Sequence, residues 1–259
     1  MCISDTHGRH AAMAPLPPCD VLIHAGDATN TGEMGQLQQI LDFMEAHCAT
    51  HKILIAGNHE VTLDAAFYDS SEYWQRHHRG RYSSADCRAL VASRPGVIYL
   101  EDSAAVLDFG ACGSLTVYGS PWTPRFYEWG FNVDRGEAAS DKWSLIPGGG
   151  LVDILVTHGP PHGILDKVGE DDGGFRLTGC EALLTHLGRV QPRLHCFGHI
   201  HEGYGVYRNP DSGIVFANAS SCTENYRCTN KPIVCHVPFD KTQGVTCLSH
   251  VLSSTPNPT

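Results

Sequence analysis

Short apolar runs separated by polar, glycine-bearing segments set the rhythm of this chain. Val21-Leu22-Ile23-His24 runs into Gly26, and Ile53-Leu54-Ile55 runs into Gly57. Between them Leu37, Ile40, Leu41 and Met44 recur at helical spacing, which predicts an amphipathic helix over 33–46. A β-α-β unit of this kind favours parallel strands, with ligands gathered at their carboxyl ends. Further strands are expected at 97–100, 104–109, 115–118, 154–156, 194–197, 205–207, 214–216, 233–237 and 245–251, and helices at 136–145 and 180–187. Residues 121–132 read as a long aromatic-rich loop. The Pro- and Ser-rich segment 253–259 is expected to be disordered. No repeat or linker divides the chain, so a single α/β domain built on two sheets over 1–252 is the expectation. Only Met1-Cys2-Ile3 precede Ser4-Asp5, fewer than the five or six residues of an ordinary strand, so the first strand reads as truncated.

Composition narrows the function. The 259 residues carry a net charge of −10 with histidine neutral, and no Lys/Arg cluster stands out. That disfavours an extended nucleic-acid surface or an anionic-membrane patch. No apolar stretch approaches the roughly 20 residues of a membrane helix. The 11 cysteines are irregularly spaced, with no C-x-x-C pair and no signal peptide, so reduced thiols and a cytoplasmic setting are expected. Asn218-Ala219-Ser220 reads as a chance glycosylation sequon.

Histidine is the compositional outlier, at 16. His24, His195 and His236 lie in apolar runs and read as core or edge residues, while His77 and His78 read as solvated. Five others fall in short clusters: Asp5-Thr6-His7, Gly26-Asp27, Gly57-Asn58-His59-Glu60, Thr157-His158-Gly159 and Gly198-His199-Ile200-His201. Each cluster follows a short apolar run, as expected of metal donors delivered from strand ends. Carboxylate, amide oxygen and imidazole without cysteine suit borderline and harder divalent ions rather than a thiolate zinc site.

The ordered series D-x-H, G-D, G-N-H-E, T-H-G, G-H-x-H resembles the calcineurin-like metallophosphoesterase superfamily. Cys2-Ile3-Ser4-Asp5-Thr6-His7, Pro121-Trp122-Thr123-Pro124, Thr157-His158-Gly159-Pro160-Pro161 and His201-Glu202-Gly203-Tyr204-Gly205 are similar to its metallophosphoesterase-domain-containing subgroup, akin to class III cyclic-nucleotide phosphodiesterases. The resemblance extends to about Pro238. It implies a four-layer α/β/β/α sandwich of two mixed sheets, with the metal site at strand carboxyl ends.

It also implies two divalent ions, Mn²⁺ first, with iron, zinc and cobalt as alternatives. Asp5, His7, Asp27 and His201 would hold one; Asp27, Asn58, His158 and His199 would hold the other, with Asp27 bridging. With a bridging hydroxide such a site carries a formal charge of about +1, which attracts a phosphate ester for in-line attack. His59 would stabilise the transition state or protonate the leaving oxygen.

On the substrate side the residues leave alternatives open. Arg9 reaches a phosphate or stays solvated, Trp122 and its aromatic neighbours stack a base or pack their loop, and Tyr204 and Glu202 shape the pocket or orient His201. The chain lacks the arginine that protein Ser/Thr phosphatases carry after the second aspartate. Asn30 stands where purple acid phosphatases have tyrosine. The expectation is a hydrolase of small phosphodiesters such as cyclic nucleotides; the alternative is a nucleotide-binding regulatory or scaffold protein. Some vertebrate members have glycine at the His199 position, a change expected to weaken the second metal. The histidine here favours turnover.

Overall fold

In the computed structural model, which describes residues 1–170, 172–248, 252–253 and 256–257, two sheets stack face to face with helices outside each. The first sheet follows the expected β-α-β pattern. Its strands are β1 (Cys2–Ile3), β2 (Val21–Ala25), β3 (His51–Ile55) and β4 (Ile98–Tyr99). Helix α1 (Met34–Ala46) joins β2 to β3, and α2 (Ala65–Ser70), α3 (Tyr73–His77) and α4 (Ser84–Ala92) lie between β3 and β4. The pairings among these four strands are parallel, and at the edge Cys2 of β1 also bridges antiparallel to Ile233. Short as it is, β1 is fully buried and pairs Cys2 with Ile23 and Ile3 with His24.

The second half supplies β5 (Ser103–Asp108), β6 (Ser114–Ser120), β7 (Thr123–Pro124), β8 (Asn132–Val133), α5 (Glu137–Ser144), β9 (Ile154–Thr157), β10 (Lys167–Gly169), β11 (Phe175–Leu177), α6 (Glu181–Val190), β12 (Leu194–Phe197), β13 (Gly205–Arg208), β14 (Val215–Asn218), β15 (Cys235–His236), β16 (Thr246–Cys247) and β17 (Leu252–Ser253). Seven of them form the second sheet, in the order β17-β13-β14-β12-β9-β6-β5. Its centre is parallel, while β5 with β6 and β13 with β14 are antiparallel, so this sheet is mixed.

Alternation along the strands explains the four layers. In β2, Ile23 and Ala25 face the second sheet and pack with Ile53, Ile55, Val117, Val156 and Cys196. Leu22 faces the other way, onto Leu37, Leu41 and Met44 of α1. Trp143 of α5 and Leu183 and Leu187 of α6 cover the far face of the second sheet. Strands buried on both faces read as continuous apolar runs, which is why these runs were visible in the sequence.

Four local expectations change. The strand expected over 233–237 narrows to β15, and that over 245–251 to β16; residues 249–251 lie outside the described residues, as do 254, 255, 258 and 259 of the expected disordered tail. Cys235 and Cys247 face each other across β15 and β16 and are disulfide-bonded, the other nine cysteines being free. His78 is buried, not solvated: the chain folds back after α3, and its Nε2–H donates to the Thr31 carbonyl (2.9 Å) beside the Tyr68 hydroxyl on Nδ1 (2.8 Å). Asn218 is buried too, its amide donating to the Leu165 and Ile200 carbonyls, so the sequon is sealed inside the fold.

His195 makes the core sensitive to acid. Thr157 Oγ1 donates to the Gly159 carbonyl (2.7 Å) and sits 2.8 Å from His195 Nε2, while His195 Nδ1 has no hydrogen-bond partner among the described residues. Burial pushes this imidazole down to about 3. The unfolded chain therefore takes up a proton near pH 6.5 that the folded one refuses. The stability due to neutral His195 is complete above pH 6.5 and is lost as pH falls toward 3. His195→Phe is expected to flatten this slope by up to about 1.4 kcal/mol per pH unit, measured by urea unfolding across pH 4–7; an unchanged slope would contradict it.

Candidate metal centre

The five clusters meet where the carboxyl ends of the two sheets face each other. Asp5 and His7 follow β1, Asp27 follows β2, Asn58 and His59 follow β3, His158 follows β9, and His199 and His201 follow β12. Donor atoms fall into three groups, each within 4.8 Å: Asp5, His7 and His201; His7, Asp27 and His59; Asp27, His158 and His199. Asn58 Oδ1 lies 3.1 Å from His158 Nε2 and joins the last group. All seven candidate ligands and His59 are thus brought together.

Backbone conformation shows how tightly the loops are turned. Asp5, His7, Asp27 and His199 all adopt positive φ, at 51°, 43°, 51° and 68°. Non-glycine residues rarely do so, and such strain concentrates at functional sites. Glycine permits the close approach of the loops: a Cβ on Gly57 would collide with the Asp27 carboxylate, and one on Gly198 with that of Asp5.

The residues fit divalent cations. Nδ1 of His158 donates to the Ala25 carbonyl and Nδ1 of His201 to the Thr223 carbonyl, both at 2.9 Å. A carbonyl only accepts, so each Nδ1 carries the proton and each Nε2 faces the cluster, the usual orientation of a metal-binding histidine. His7 Nε2 and His201 Nε2 lie 3.3 Å apart, within hydrogen-bond distance, and both would be offered to a cation held there.

Electrostatics agree. Burial opposes ionisation of Asp27, yet the charges of His158 and His59 hold its carboxyl well below the usual range. Burial alone would push His158 and His201 down; the Asp27 and Asp5 carboxylates instead lift both to about 9. The carboxylates therefore demand positive charge at this point. His7 and His199 are driven down by burial, to about 4 and about 3, so their lone pairs stay available at neutral pH.

Residues outside the expected set hold the cage. Glu60 is fully buried and accepts from the Asp27 and Gly57 amides on one oxygen and from the Thr29 amide and hydroxyl on the other, so it ties two donor loops together. Asp5 accepts from the His199 amide and from Ser220 Oγ, and Ser220 is itself hydrogen-bonded to Asn218. Tyr226 packs on His7 and His201, with ring centroids at 4.9 and 5.3 Å. Only the position of Glu60, beside Asn58 and His59, gave any signal of this in the sequence.

A cavity of about 440 Å³ opens over the cluster, with His7, Asp27, Asn58, His59, His199 and His201 at its floor. Phe126, Arg125, Arg135, Arg176, Glu202 and Tyr226 are among its walls. Arg9, Trp122 and Tyr204 do not line it. The Trp122 indole donates to Asp102 (2.8 Å) beneath the Lys142 ammonium, Tyr204 donates to the Lys231 carbonyl (2.9 Å), and Arg9 is exposed, its side chain making no hydrogen bond among the described residues.

Two stacked sheets flanked by helices, with carboxylates, an amide and imidazoles gathered at the strand ends, define a metallophosphoesterase. A family model described as calcineurin-like phosphoesterase matches residues 1–203, and the chain belongs to that family. Two proteins named metallophosphoesterase domain-containing protein 1, from Homo sapiens and Mus musculus, are each 42% identical to it over 242 residues, covering 92% of this chain and 70% of theirs. A UPF0046 protein of Caenorhabditis elegans is 37% identical over 247 residues, 92% of this chain and 59% of its own. A solved crystal structure superposes with a TM-score of 0.53 over 85% of this chain and 89% of the other; at 14% identity it shows the fold alone. Among the described residues no helix is long and apolar enough to cross a membrane.

Proposed function

We propose that this chain is a dinuclear metal-dependent hydrolase of small phosphodiesters, cyclic nucleotides among them. The observation that carries this reading is the convergence of seven donors at one point, five of them (His7, Asp27, Asn58, His199 and His201) on the cavity floor, with Asp27 shared between two donor groups. Asp5, His7, Asp27 and His201 would hold one ion, and Asp27, Asn58, His158 and His199 the other. Divalent ions bound there supply electrophilic activation of the ester and of water.

The remaining work falls to the protein. His59 Nδ1 donates to the Asn30 carbonyl (2.6 Å), so the proton it hands on is carried at Nε2, 3.9 Å from Asp27 Oδ2 on the cavity side. As the P–O bond breaks, that proton passes to the leaving oxygen. The cavity exceeds what a phosphate needs and suits a nucleoside-sized group. Phe126, 44% exposed with its ring 6.3 Å from that of His199, offers a stacking face. Arg176 lines the wall and has no carboxylate partner among the described residues, which suits an anionic ligand. A purely regulatory nucleotide-binding role would be favoured by loss of His199, which is present with its ring 5.0 Å from that of His158.

The test is a hydrolase screen with bis(p-nitrophenyl) phosphate and 2′,3′- and 3′,5′-cyclic nucleotides in added Mn²⁺. Chelator-sensitive turnover of diesters is expected. Phe126→Ala should raise KM for nucleotides about tenfold or more while leaving that for the nitrophenyl ester within about twofold. A metal-loaded protein that turns over none of these diesters would contradict the proposal.

A further inference from the structure

We propose that Trp129 is the positioning residue for His59, an inference that rests on the reading of His59 as the proton donor to the leaving oxygen. The Trp129 indole stacks on the His59 imidazole, with ring centroids 4.0 Å apart and planes 29° from parallel. From another side His7 meets the same ring edge-on at 4.6 Å and 80°. With Nδ1 anchored on the Asn30 carbonyl, the imidazole is bounded on two sides and tied at one nitrogen. Its remaining nitrogen is thereby kept directed at Asp27.

Trp129 is itself fixed to the donor loop. The next amide, Gly130 N–H, donates to the carbonyl of Asn58, and the Phe131 amide donates to Asp64 Oδ2 (2.7 Å). The indole also leans on Tyr73 and His77, at 5.6 and 6.1 Å. It therefore travels with the loop that carries Asn58 and His59. A role as a nucleobase platform does not fit, because its stacking partner is His59 and it is absent from the cavity wall. Holding a catalytic ring in its productive orientation is a separate contribution from supplying the proton, since small misplacements of a reacting group are costly.

The experiment uses the Mn²⁺-loaded protein and aryl phosphodiesters whose leaving phenols run from p-nitrophenol to unsubstituted phenol. A displaced proton donor matters most where the leaving group is poor. Trp129→Leu is expected to lower kcat about tenfold or more for phenol, and less than about twofold for p-nitrophenol, with KM and metal content unchanged. Trp129→Met, which preserves bulk against Tyr73, should show the same pattern, and Trp129→Phe, which keeps an aromatic face, should restore most of the rate. On a His59→Asn background Trp129→Leu should cost nothing further.

A second readout needs no turnover. In ¹⁵N-histidine spectra of the metal-free protein, the slowly exchanging Nδ1–H signal that His59→Asn removes should also be lost in Trp129→Leu. Equal losses across the phenol series, additive losses on the His59→Asn background, or wild-type rates with the signal retained would overturn the proposal. A deficient His59→Asn beside an unaffected Trp129→Leu would sink this inference alone. A fully active His59→Asn would sink the reading beneath it.

Discussion

Asp27→Asn is expected to leave the protein folded, strip it of bound metal and lower diester hydrolysis by more than about 100-fold. Asp27 Oδ2 lies 3.2 Å from His158 Nε2, 3.9 Å from His59 Nε2 and 4.0 Å from His7 Nε2. Its other oxygen accepts from the His59 amide at 2.9 Å. Among the described residues no other carboxylate belongs to two of the donor groups: Asp27 lies with His158 and His199 in one and with His7 and His59 in another, so on the proposed reading both cation positions would depend on this one charge. Two divalent ions a few ångströms apart repel strongly, and only anionic oxygens between them offset that repulsion. Asparagine keeps the shape and an oxygen but removes the charge. Loss of a mere orienting partner already costs roughly 10- to 100-fold in such sites, so loss of a shared donor should exceed that range. Metal content by plasma emission together with bis(p-nitrophenyl) phosphate rates provides the check. A variant that keeps two ions and wild-type turnover would show that Asp27 is not shared.

His199→Gly is expected to act on one position only. The ring of His199 stands 5.0 Å from that of His158 and belongs to the group with Asp27 and His158. Burial pushes its imidazole down to about 3, so it meets a cation unprotonated at neutral pH. The other group, Asp5, His7 and His201, does not include it. The variant should therefore bind one ion instead of two and lose about 100-fold of turnover, while nucleotide binding persists. Titration calorimetry with a nucleoside monophosphate, beside the rate measurement, separates the outcomes. Equal rates in the two proteins would remove the distinction between turnover and simple binding on which the functional reading stands.

What the sequence made visible has a common physical cause. The donors were legible because each follows a strand buried on both faces, and such strands leave continuous apolar runs. Helix α1 was legible because Leu37, Ile40, Leu41 and Met44 keep one face against the sheet. The helices α2 and α4 were missed: they are short, and Tyr68 of α2 packs into a small cluster of its own with Val61 and Tyr73. Glu60 looked like the tail of a motif, because its four hydrogen bonds reach back to loops about 30 residues away, apart from the one to Gly57.

Substrate-side residues were the least legible. Trp122 and Trp129 stand seven positions apart in one aromatic loop, and nothing local distinguishes them. Contact with Asp102 and Lys142 draws the first away from the cavity, while contact with His59 draws the second onto the donor loop. The Cys235–Cys247 pair was hidden for the same reason: it depends on two strands meeting across a turn, not on spacing.

The central claim is that seven side chains from five strand ends enclose two cations sharing Asp27. Anomalous diffraction from crystals grown in Mn²⁺ tests it most directly. The account predicts two anomalous peaks roughly 3.5–4 Å apart, one beside Asp5, His7 and His201, the other beside Asn58, His158 and His199, with the Asp27 carboxylate touching both. A single peak, or peaks remote from Asp27, would contradict it.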